Sequence, residues 1–559
     1  MILSSAEHIR RYREQGYWGD RTLLDAFHEH VLAGPERVAV VDPPNKKDLV
    51  GLPSSRVSFR ELDRAADAVA TALLDLGIQK DDVIMVQLPN IWELALLYIA
   101  AARAGVIIAP LPVQWRSREF TYIAALTGAR AFIAMEEFRG FQPLRMAAEQ
   151  RAGLGSLKYV IPLAQVREWA EGEIDRDRLA AVRVDADDLF TICWTSGTEA
   201  EPKGCPLSHN NWTFQGNIIR KAAGFRAGDV QLCLAPLVNM TALGVQFIPW
   251  LLFGGTFVLH HPLDVEMCLR QLGEEKVNFI ILPPAVLNMI LKHPRIDEYD
   301  LSTVRTITSG SAPLSPWALQ EFQRRWGIEV VNIWGQNEGT GLISGPADIP
   351  EVVRRAEVFP GWGRPGAEWS VAGVETKVVD PENGRVVTEA GGVGELAYRG
   401  PNVMPAYFGR PDLSKKAFDE EGFFYTGDLF LLKEGNQLAF FDRRKDIIIR
   451  GGFNISAQEV ENSLQGHSGV LDVAVVAMRD EILGERTCVF VVPRPGQTVD
   501  LAELVVFLKD KDMAVYKLPE RLEIIDRIPR NPVGKIIKSV LREEINRRLR
   551  TERGEGEDS

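Results

Sequence analysis

Cysteine is scarce in this sequence, and the few cysteines present are not paired. Five occur among 559 residues, with no C-x-x-C spacing, at Cys193, Cys205, Cys233, Cys268 and Cys488. An odd, dispersed set argues against a disulfide framework and is typical of reduced thiols in a cytoplasmic protein. None has the surroundings of a nucleophile, so we expect buried structural thiols.

The sequence also lacks a surplus of basic residues. Its 64 Lys and Arg residues stand against 76 Asp and Glu residues, which gives a net charge of -12 at pH 7. This balance argues against a general nucleic-acid-binding protein. Local basic sites for an anionic cofactor are still compatible with it.

A long, uninterrupted apolar run is missing as well. The first 18 residues contain no apolar core of a signal peptide, so we do not expect one. The longest apolar run, residues 91–113, contains Glu93, Arg103, Gly105 and two prolines. It predicts a buried helix followed by a strand, and we expect no stable membrane insertion.

The length and the order of apolar segments predict an α/β protein of more than one domain. Up to about residue 440, short apolar runs alternate with amphipathic ones, which is typical of parallel sheets flanked by helices. From about residue 371, short alternating strands suggest a β-rich subdomain. We therefore predict a large N-terminal domain over 1–444, a smaller, mobile α+β domain over 445–548, and a disordered tail over 549–559.

Three polar segments follow predicted strands and are therefore expected at one sheet edge. They are "TSGTEAEPKG" (195–204), "SGSAP" (309–313) and "WGQNEG" (334–339). Ligands of α/β sheets bind beyond the carboxyl ends of the strands, so these loops could converge on one cleft.

The segment "TSGTEAEPKG" nearly matches a phosphate-binding P-loop but departs from it at its end. Pro202 stands in place of the second glycine, and Gly204 in place of the Ser or Thr after Lys203. Its three hydroxyls, two glycines and one lysine are nevertheless groups that bind a polyphosphate. Taken alone, it could equally be a solvated turn.

Four further motifs follow in order, and the set resembles the adenylate-forming superfamily. They are "WGQNEG", "YTGDL" (425–429), "DRRKDIIIRGGFNISAQEVE" (442–461) and "PRNPVGKI" (529–536). That superfamily includes acyl-CoA synthetases, luciferases and peptide-synthetase adenylation domains. The resemblance covers roughly residues 20–548 and implies the fold and the adenylating chemistry of that group.

The resemblance implies a nucleotide site distributed over these motifs. Asp428 would accept hydrogen bonds from both ribose hydroxyls, and Arg443 would contact the ribose or a phosphate. The opening loop would wrap the β- and γ-phosphates of ATP through Thr195, Ser196, Gly197, Thr198 and Lys203. The adenine and phosphate side would be formed by Ser311, Ala312, Pro313, Trp334, Gly335, Gln336 and Asn337.

The resemblance also implies a Mg²⁺ site and two residues that act during catalysis. Glu338 matches the acidic metal ligand of the family, with Thr198 beside it, and a carboxylate suits this hard cation. Lys535 would bridge the carboxylate substrate and the α-phosphate, where a cation stabilises the charge that builds on phosphorus. Lys445 matches the hinge about which the small domain rotates.

After rotation, coenzyme A would reach the adenylate past Gly451 and Gly452, where a side chain would block the thiol. The acyl pocket would be lined by Val238, Asn239, Gly310 and Gly339. Four of the residues assigned to the nucleotide site and to catalysis also have a plainer structural interpretation. Trp334 could belong to the core packing, Glu338 and Asp428 could be turn or cap residues, and Lys535 could be a solubility residue. The ordered set of motifs favours the functional interpretation.

The sequence departs from the family pattern at four places. Glu199–Ala200 replaces a Thr–Gly pair and, together with Glu201, brings acidic side chains close to the phosphates. Glu199 could weaken ATP binding, or it could face solvent or Mg²⁺; we prefer the second interpretation. Asn337 replaces a threonine that contacts the phosphate or acyl end, and its amide can still donate a hydrogen bond. Asp442 replaces a glycine beside the hinge. The pair Val238–Asn239 replaces an aromatic residue and a histidine, which suggests a roomier or differently shaped acyl pocket.

We therefore predict an AMP-forming acid–CoA ligase that uses ATP, Mg²⁺ and coenzyme A. Its acid is expected to be medium-chain, alicyclic or a steroid side chain, and a homodimer is compatible with the sequence. The nearest alternative is an aryl-acid adenylating enzyme that loads a carrier protein. A P-loop kinase or ATPase is disfavoured by the incomplete P-loop, and a non-catalytic adenylate-binding relative is disfavoured by Glu338, Asp428 and Lys535.

Overall fold

The computed structural model describes residues 1–195, 201–451, 453–530 and 536–552. The chain divides into two compact units. The larger unit comprises Met1–Thr376 and Tyr398–Phe424; the smaller unit comprises Lys377–Ala397 and Tyr425–Ser559. The predicted boundary at residue 444 is not tested by this division, and it stays a prediction.

Except for the short strand Phe359–Pro360, the strands of the larger unit fall into two sheets, with helices between them in the chain. In chain order the strands are β1 (Val38–Val41), β2 (Arg56–Ser58), β3 (Val83–Gln87), β4 (Ile107–Pro110), β5 (Ala131–Ala134), β6 (Tyr159–Pro162), β7 (Leu189–Trp194), β8 (Gly204–Ser208), β9 (Val230–Cys233), β10 (Thr256–Leu259), β11 (Phe279–Ile281), β12 (Thr306–Gly310), β13 (Glu329–Gly335), β14 (Gly341–Ser344) and β15 (Phe359–Pro360).

The helices of the larger unit connect and cover these strands. They are α1 (Ala6–Glu14), α2 (Leu23–Ala33), α3 (Lys46–Val50), α4 (Phe59–Asp75), α5 (Trp92–Arg103), α6 (Ser117–Thr127), α7 (Pro143–Gln150), α8 (Leu163–Ala170), α9 (Arg176–Ala181), α10 (His209–Ala222), α11 (Met240–Ala242), α12 (Ile248–Phe253), α13 (Val265–Glu274), α14 (Pro284–Leu291), α15 (Pro316–Trp326) and α16 (Pro411–Ala417).

Both sheets of the larger unit are mainly parallel, as the sequence predicted. One sheet has the order β14-β13-β12-β11-β9-β10-β1-β2, with antiparallel pairing only at its two edges. The other has the order β6-β5-β3-β4-β7-β8, and only β8 is antiparallel. Parallel neighbours bring the carboxyl ends of several strands to one edge of each sheet, where α/β proteins bind ligands.

The apolar run at 91–113 folds as expected, into the buried helix α5 and the buried strand β4. Helix α5 is buried nearly all round, which is typical of a helix in the core of a large protein. All five cysteines are buried with free thiols, in agreement with the sequence. No helix in the described part of the chain combines the length and apolar character needed to cross a membrane.

In the part of the chain that the structure describes, the smaller unit consists mainly of antiparallel strands and three helices. The strands are β16 (Glu375–Val379), β17 (Val393–Arg399), β18 (Phe424–Lys433), β19 (Gln437–Arg443), β20 (Ile448–Arg450), β21 (Phe453–Ile455), β22 (Val470–Asp480), β23 (Gly484–Pro493) and β24 (Arg521–Ile524). The helices are α17 (Ala457–Leu464), α18 (Leu501–Lys509) and α19 (Lys538–Glu552).

Within the smaller unit, β16 to β19 lie side by side in the order β19-β18-β17-β16, and β20 to β24 form a second sheet. The start of α17 illustrates how the sequence sets local structure. The hydroxyl of Ser456 accepts the Glu459 N–H at 3.1 Å, which makes Ser456 the N-cap of the helix. The Glu459 carboxylate binds the ammonium of Lys517 at 2.7 Å.

Candidate active site

The phosphate loop of the sequence analysis is the tip of an antiparallel hairpin between β7 and β8. Its two ends are joined twice: the Thr195 N–H donates to the Lys203 carbonyl at 3.0 Å, and the Lys203 N–H donates to Thr195 Oγ1 at 3.1 Å. Lys203 therefore has a position set by the hairpin base. Of the other predicted loop residues, Ser196, Gly197 and Thr198 lie outside the described residues, as does Glu199–Ala200.

Glu338 lies in the tight turn that joins β13 to the edge strand β14. The Gln336 N–H donates to the Thr340 carbonyl at 3.1 Å, and Gly335 pairs with Gly341 across the hairpin. The Glu338 side chain is buried, with only 7% of its surface exposed. An unpaired carboxylate is costly to bury, so the burial of Glu338 implies that its carboxylate has binding partners.

One phenol joins Glu338 to Lys203. The Tyr407 hydroxyl donates to Glu338 Oε1 at 2.7 Å and accepts from the Lys203 ammonium at 3.1 Å. The ammonium nitrogen also lies 4.6 Å from the centre of the Tyr407 ring and 4.0 Å from Glu338 Oε1. Burial raises the pKa of the Tyr407 phenol, and the Glu338 charge raises it further, so the phenol keeps its proton at neutral pH.

Asn337 connects the start of the phosphate loop with the predicted acyl segment. Its Nδ2 donates to the Trp194 carbonyl at 2.8 Å, and its Oδ1 accepts the Met240 N–H at 2.8 Å. Both ends of the amide thus bind backbone within the protein. This arrangement brings the carboxyl ends of β7 and β13, which belong to different sheets, to the same place.

Glu201, the acidic residue that follows Glu199–Ala200 in the loop, has a basic partner. The carboxylate of Glu201 lies 3.5 Å from the guanidinium of Arg410, which also binds Asp412 at 3.0 Å. Glu201 and Asp412 are each about half exposed, so the contribution of these pairs to stability is small. Their effect is to offset an acidic charge beside the expected phosphates.

The adenine-side residues follow β12 and β13, which are parallel neighbours. Gly310 pairs with Ile333, so Ser311 and Trp334 begin adjacent segments. Ser311, Ala312 and Pro313 are exposed, Trp334 is half-buried, and Ser311 has a φ of 68°. A left-handed conformation is uncommon for a residue with a side chain and often marks a binding turn.

Two predicted acyl-pocket glycines have a packing reason to lack a side chain. A Cβ atom at Gly310 would overlap the Ile333 carbonyl, and one at Gly339 would overlap the Asn402 carbonyl. Gly339 also has a φ of 91°, which residues with a Cβ rarely adopt. These contacts account for both glycines without a ligand, and their role in the acyl pocket stays a proposal.

Val238 and Asn239, the other predicted acyl-pocket residues, precede the short helix α11. Val238 is only 6% exposed. Asn239 is the N-cap, because its Oδ1 accepts the Ala242 N–H at 3.3 Å. The Oδ1 of Asn239 is therefore engaged in capping, and Val238 is the apolar residue of the pair.

The predicted ribose residues belong to the smaller unit. Asp428 and Arg443 are register partners on β18 and β19, and the guanidinium of Arg443 lies 3.8 Å from the Asp428 carboxylate. Asp428 is buried, and its N–H donates to Thr426 Oγ1 at 3.2 Å. The guanidinium gives the buried carboxylate an opposite charge nearby, and both carboxylate oxygens can accept hydrogen bonds.

The predicted hinge residue Lys445 is exposed and lies between two anchored neighbours. The carboxylate of the buried Glu395 accepts from the guanidinium of Arg444 at 3.0 Å and from the Gly427 N–H at 2.9 Å. Asp446 accepts from Arg542 at 2.7 Å. The side chain of Glu395 thus connects the "YTGD" segment of β18 with the hinge segment.

Asp442, which replaces the usual glycine, is a third anchor before the hinge. Its buried carboxylate accepts from the Ser456 hydroxyl at 2.7 Å, the Gln458 N–H at 3.0 Å and the Arg443 N–H at 2.7 Å. Negative charge at the N-terminus of α17 also suits the helix dipole. The end of β19 is therefore joined to α17 by a single side chain.

Gly451 lies in the turn between β20 and β21, where Arg450 pairs with Phe453. Its N–H donates to the Leu483 carbonyl at 2.8 Å. Gly452 and Lys535 lie outside the described residues. Their predicted roles rest on the sequence.

Comparison with known proteins establishes the family. The model of the AMP-binding enzymes matches residues 27–408, and that of the AMP-binding enzyme C-terminal domain matches residues 459–535. The chain belongs to the family of AMP-binding enzymes. The predicted resemblance to adenylate-forming enzymes is thereby confirmed, and with it the family of AMP-forming acid–thiol ligases.

Relatives within this family differ in their acceptors. The chain is 33% identical to the medium-chain fatty-acid–CoA ligase of Escherichia coli (strain K12), over 96% of this chain and 93% of the relative. It is 28% identical to the 2,3-dihydroxybenzoate-AMP ligase of Bacillus subtilis (strain 168), over 97% of each. The structure of ATP-bound MatB from Rhodopseudomonas palustris superposes with a TM-score of 0.80 at 25% identity, covering 94% of this chain and 99% of that one.

Two residues at the site were not anticipated from the sequence. Tyr407 and Glu395 lie outside the motifs used above, and Tyr407 is separated from Glu338 by 69 positions. Only the tertiary fold brings them beside Lys203 and Arg444. Hydroxyls and carboxylates near predicted strands are common in this part of the chain. The sequence alone therefore does not single out Tyr407 or Glu395.

Proposed function

We propose that this chain is an ATP-dependent carboxylic acid–CoA ligase that works through an acyl-adenylate. The observation that carries the proposal is the grouping of Lys203, Tyr407 and Glu338 at the strand ends of the larger unit. A cation for phosphate and a buried carboxylate for a metal ion are held within 4.0 Å of each other. Membership of the AMP-binding enzymes supports ATP as the nucleotide.

The residues present fit a Mg²⁺ ion bound together with ATP. Glu338 supplies a hard oxygen ligand, and the described chain holds no cluster of three or more potential metal ligands. That donor set suits a metal whose other ligands come from phosphate and water. When bound, Mg²⁺ would neutralise phosphate charge; Thr198 is the second residue that we propose beside it.

In the first half-reaction, a carboxylate oxygen of the acid attacks the α-phosphorus of ATP and pyrophosphate leaves. Lys203 would bind the departing phosphates, and Asp428 and Arg443 would orient the ribose. We assign Lys535 to the meeting point of the two anions, where a positioned cation lowers the barrier. Trp334 and the segment Ser311–Pro313 would hold the adenine.

In the second half-reaction, the thiolate of coenzyme A attacks the acyl carbonyl and AMP leaves. We propose that the small domain rotates about Lys445 between the two steps, so that Lys535 departs and Gly451 and Gly452 line the passage of the thiol. Conformational steps of this kind let one cleft perform two reactions.

We propose a medium-chain, alicyclic or steroid-side-chain acid as the substrate. The support is the buried, apolar side chain of Val238, which stands where the family pattern has an aromatic residue. An apolar pocket wall favours an acid with an apolar body over one with ring hydroxyls, since unpaired polar groups are costly to bury. The relative from Escherichia coli supports the same class. A cytoplasmic location and a homodimer stay predictions.

The alternative is an aryl-acid adenylating enzyme that loads a carrier protein, favoured by the similarity to the enzyme of Bacillus subtilis. A panel of carboxylic acids assayed for pyrophosphate and AMP, with and without coenzyme A, separates the two. Our proposal expects an acyl-CoA product with an apolar acid. Pyrophosphate release with an aryl acid and no thioester would favour the alternative, and formation of ADP would contradict both.

A further inference from the structure

Residues 401–410, which we call the strap, run between the two elements that carry Lys203 and Glu338. The Met404 N–H donates to the Glu338 carbonyl at 2.9 Å, and the Phe408 N–H donates to the Gly204 carbonyl at 2.9 Å. The strap thus binds the turn after β13 with one end and the start of β8 with the other. Its backbone fixes the spacing between the carboxylate and the ammonium.

The strap is itself held on its far side by buried polar side chains. Asn211 Nδ2 donates to the carbonyls of Pro401 and Val403 at 2.8 and 3.2 Å. Asn402 Nδ2 donates to the Gly339 carbonyl at 2.5 Å. The Tyr407 N–H donates to Ser414 Oγ at 3.0 Å. These hydrogen bonds fix the strap backbone at Pro401, Val403 and Tyr407.

Tyr407 is the residue through which the strap contacts charged side chains of the site. Tyr407 is only 4% exposed, and a phenol hydroxyl can donate one hydrogen bond and accept another. Here it donates to Glu338 and accepts from Lys203. Hydrogen bonds that involve a charged partner are shorter and stronger than neutral ones.

The geometry points to Tyr407 as a positioning residue of the adenylation site, which sets the metal-binding carboxylate and the phosphate-binding ammonium in the arrangement that Mg²⁺–ATP requires. The inference rests on the proposed function and adds to it a residue that touches neither substrate nor metal. Tyr407 acts through Glu338 on the metal and through Lys203 on the phosphate. Its effect is therefore expected chiefly on the Mg²⁺ dependence of ATP binding.

Tyr407→Phe tests this role, because it removes one oxygen and keeps the ring against Lys203. Calorimetric titration with adenosine 5′-(β,γ-imido)triphosphate would be performed in Mg²⁺ and in EDTA, without any acid substrate. We expect affinity in Mg²⁺ to fall about 10-fold or more, the scale of a hydrogen bond to a charged group, and affinity in EDTA to change less. Tyr159→Phe is the matched control, since it removes a phenol hydrogen bond of 2.6 Å to the Leu76 carbonyl.

The outcomes separate this inference from the proposed function. If wild-type protein binds the analogue with Mg²⁺ and Tyr407→Phe shows the same ratio of affinities in Mg²⁺ and EDTA, Tyr407 is not a positioning residue, and the adenylation proposal stands. If wild-type protein binds no analogue, both fail. Should Tyr407→Phe not fold, 3-fluorotyrosine at position 407 keeps the ring nearly unchanged and makes the phenol a stronger donor; an unchanged Mg²⁺ dependence would again overturn the inference.

Discussion

The ammonium nitrogen of Lys203 lies 4.0 Å from Oε1 of Glu338, and the phenol oxygen of Tyr407 contacts both. The two charges come from different sheets, so their proximity depends on the packing of the whole larger unit. Opposite charges at this separation attract each other. In a complex with Mg²⁺–ATP, the phosphates would be the partner of the Lys203 ammonium, and the metal ion would be the partner of the Glu338 carboxylate.

Replacement of Lys203 tests the phosphate end of this arrangement. We expect Lys203→Gln to reduce acid-dependent ATP–pyrophosphate exchange by about 10² to 10³-fold, because one preorganised electrostatic donor is lost. Lys221→Gln, at an exposed lysine of α10, should exchange like wild type. Equal rates in the two variants would contradict the assignment.

Replacement of Lys535 tests the division of labour between the half-reactions. We expect Lys535→Ala to lose adenylation by about 10² to 10³-fold, while thioester formation from presynthesised acyl-adenylate survives. The two steps would be measured as pyrophosphate release and as acyl-CoA formation, with Lys509→Ala, an exposed lysine of α18, as control. An equal fall of both steps in folded protein would show that the proposed domain rotation is wrong.

Asp442→Ala should loosen the joint between β19 and α17. It removes the acceptor of three hydrogen bonds and an anion at a helix N-terminus, so the Gln458 N–H loses a buried partner. We expect local stability to fall by about 1–3 kcal/mol, measured as faster hydrogen exchange of the first amides of α17. Asp510→Ala, at the exposed end of α18, is the control; unchanged exchange in Asp442→Ala would refute the role.

His209 should make the folded state sensitive to acid. Burial lowers the pKa of its imidazole from 6.5 to about 4, so the unfolded chain binds the proton first as pH falls. The free energy of unfolding should be unaffected by this group above pH 6.5. It should fall between pH 6.5 and about 4, and level off below that. The loss is up to about 3 kcal/mol.

Urea denaturation of wild type and His209→Gln at several pH values between 4.5 and 7 measures this effect. The variant should show a shallower decline in unfolding free energy on acidification, whatever its stability at pH 7. His28→Gln, at an exposed histidine of α2, should retain the wild-type slope. Identical slopes in all three proteins would assign the acid sensitivity to other groups.

The sequence predicted the elements whose signals are local. The buried helix α5 and the strands that end at Trp194, Gly310 and Gly335 are set by apolar spacing. The parallel sheets followed from the alternation of strands and helices. The antiparallel pairing of β8 with β7 was not predicted from the sequence.

The site was predictable where a residue lies in a motif and unpredictable where it acts through the fold. Lys203, Glu338 and Asp428 were named from their motifs, and the structure gives the first two a common partner. Tyr407 and Glu395 have no such signal. Asn337 was expected at the nucleotide because its amide can donate; its actual bonds, to Trp194 and Met240, depend on two sheets meeting.

The paired hydrogen bonds between Thr195 and Lys203 have a consequence for variation in the loop between them. Two hydrogen bonds to Thr195 hold the backbone of Lys203 at the base of the hairpin, so we expect substitutions between these two residues to leave that backbone in place. We therefore expect the pair Glu199–Ala200, which lies outside the described residues, to alter the turnover rate rather than the ability to adenylate.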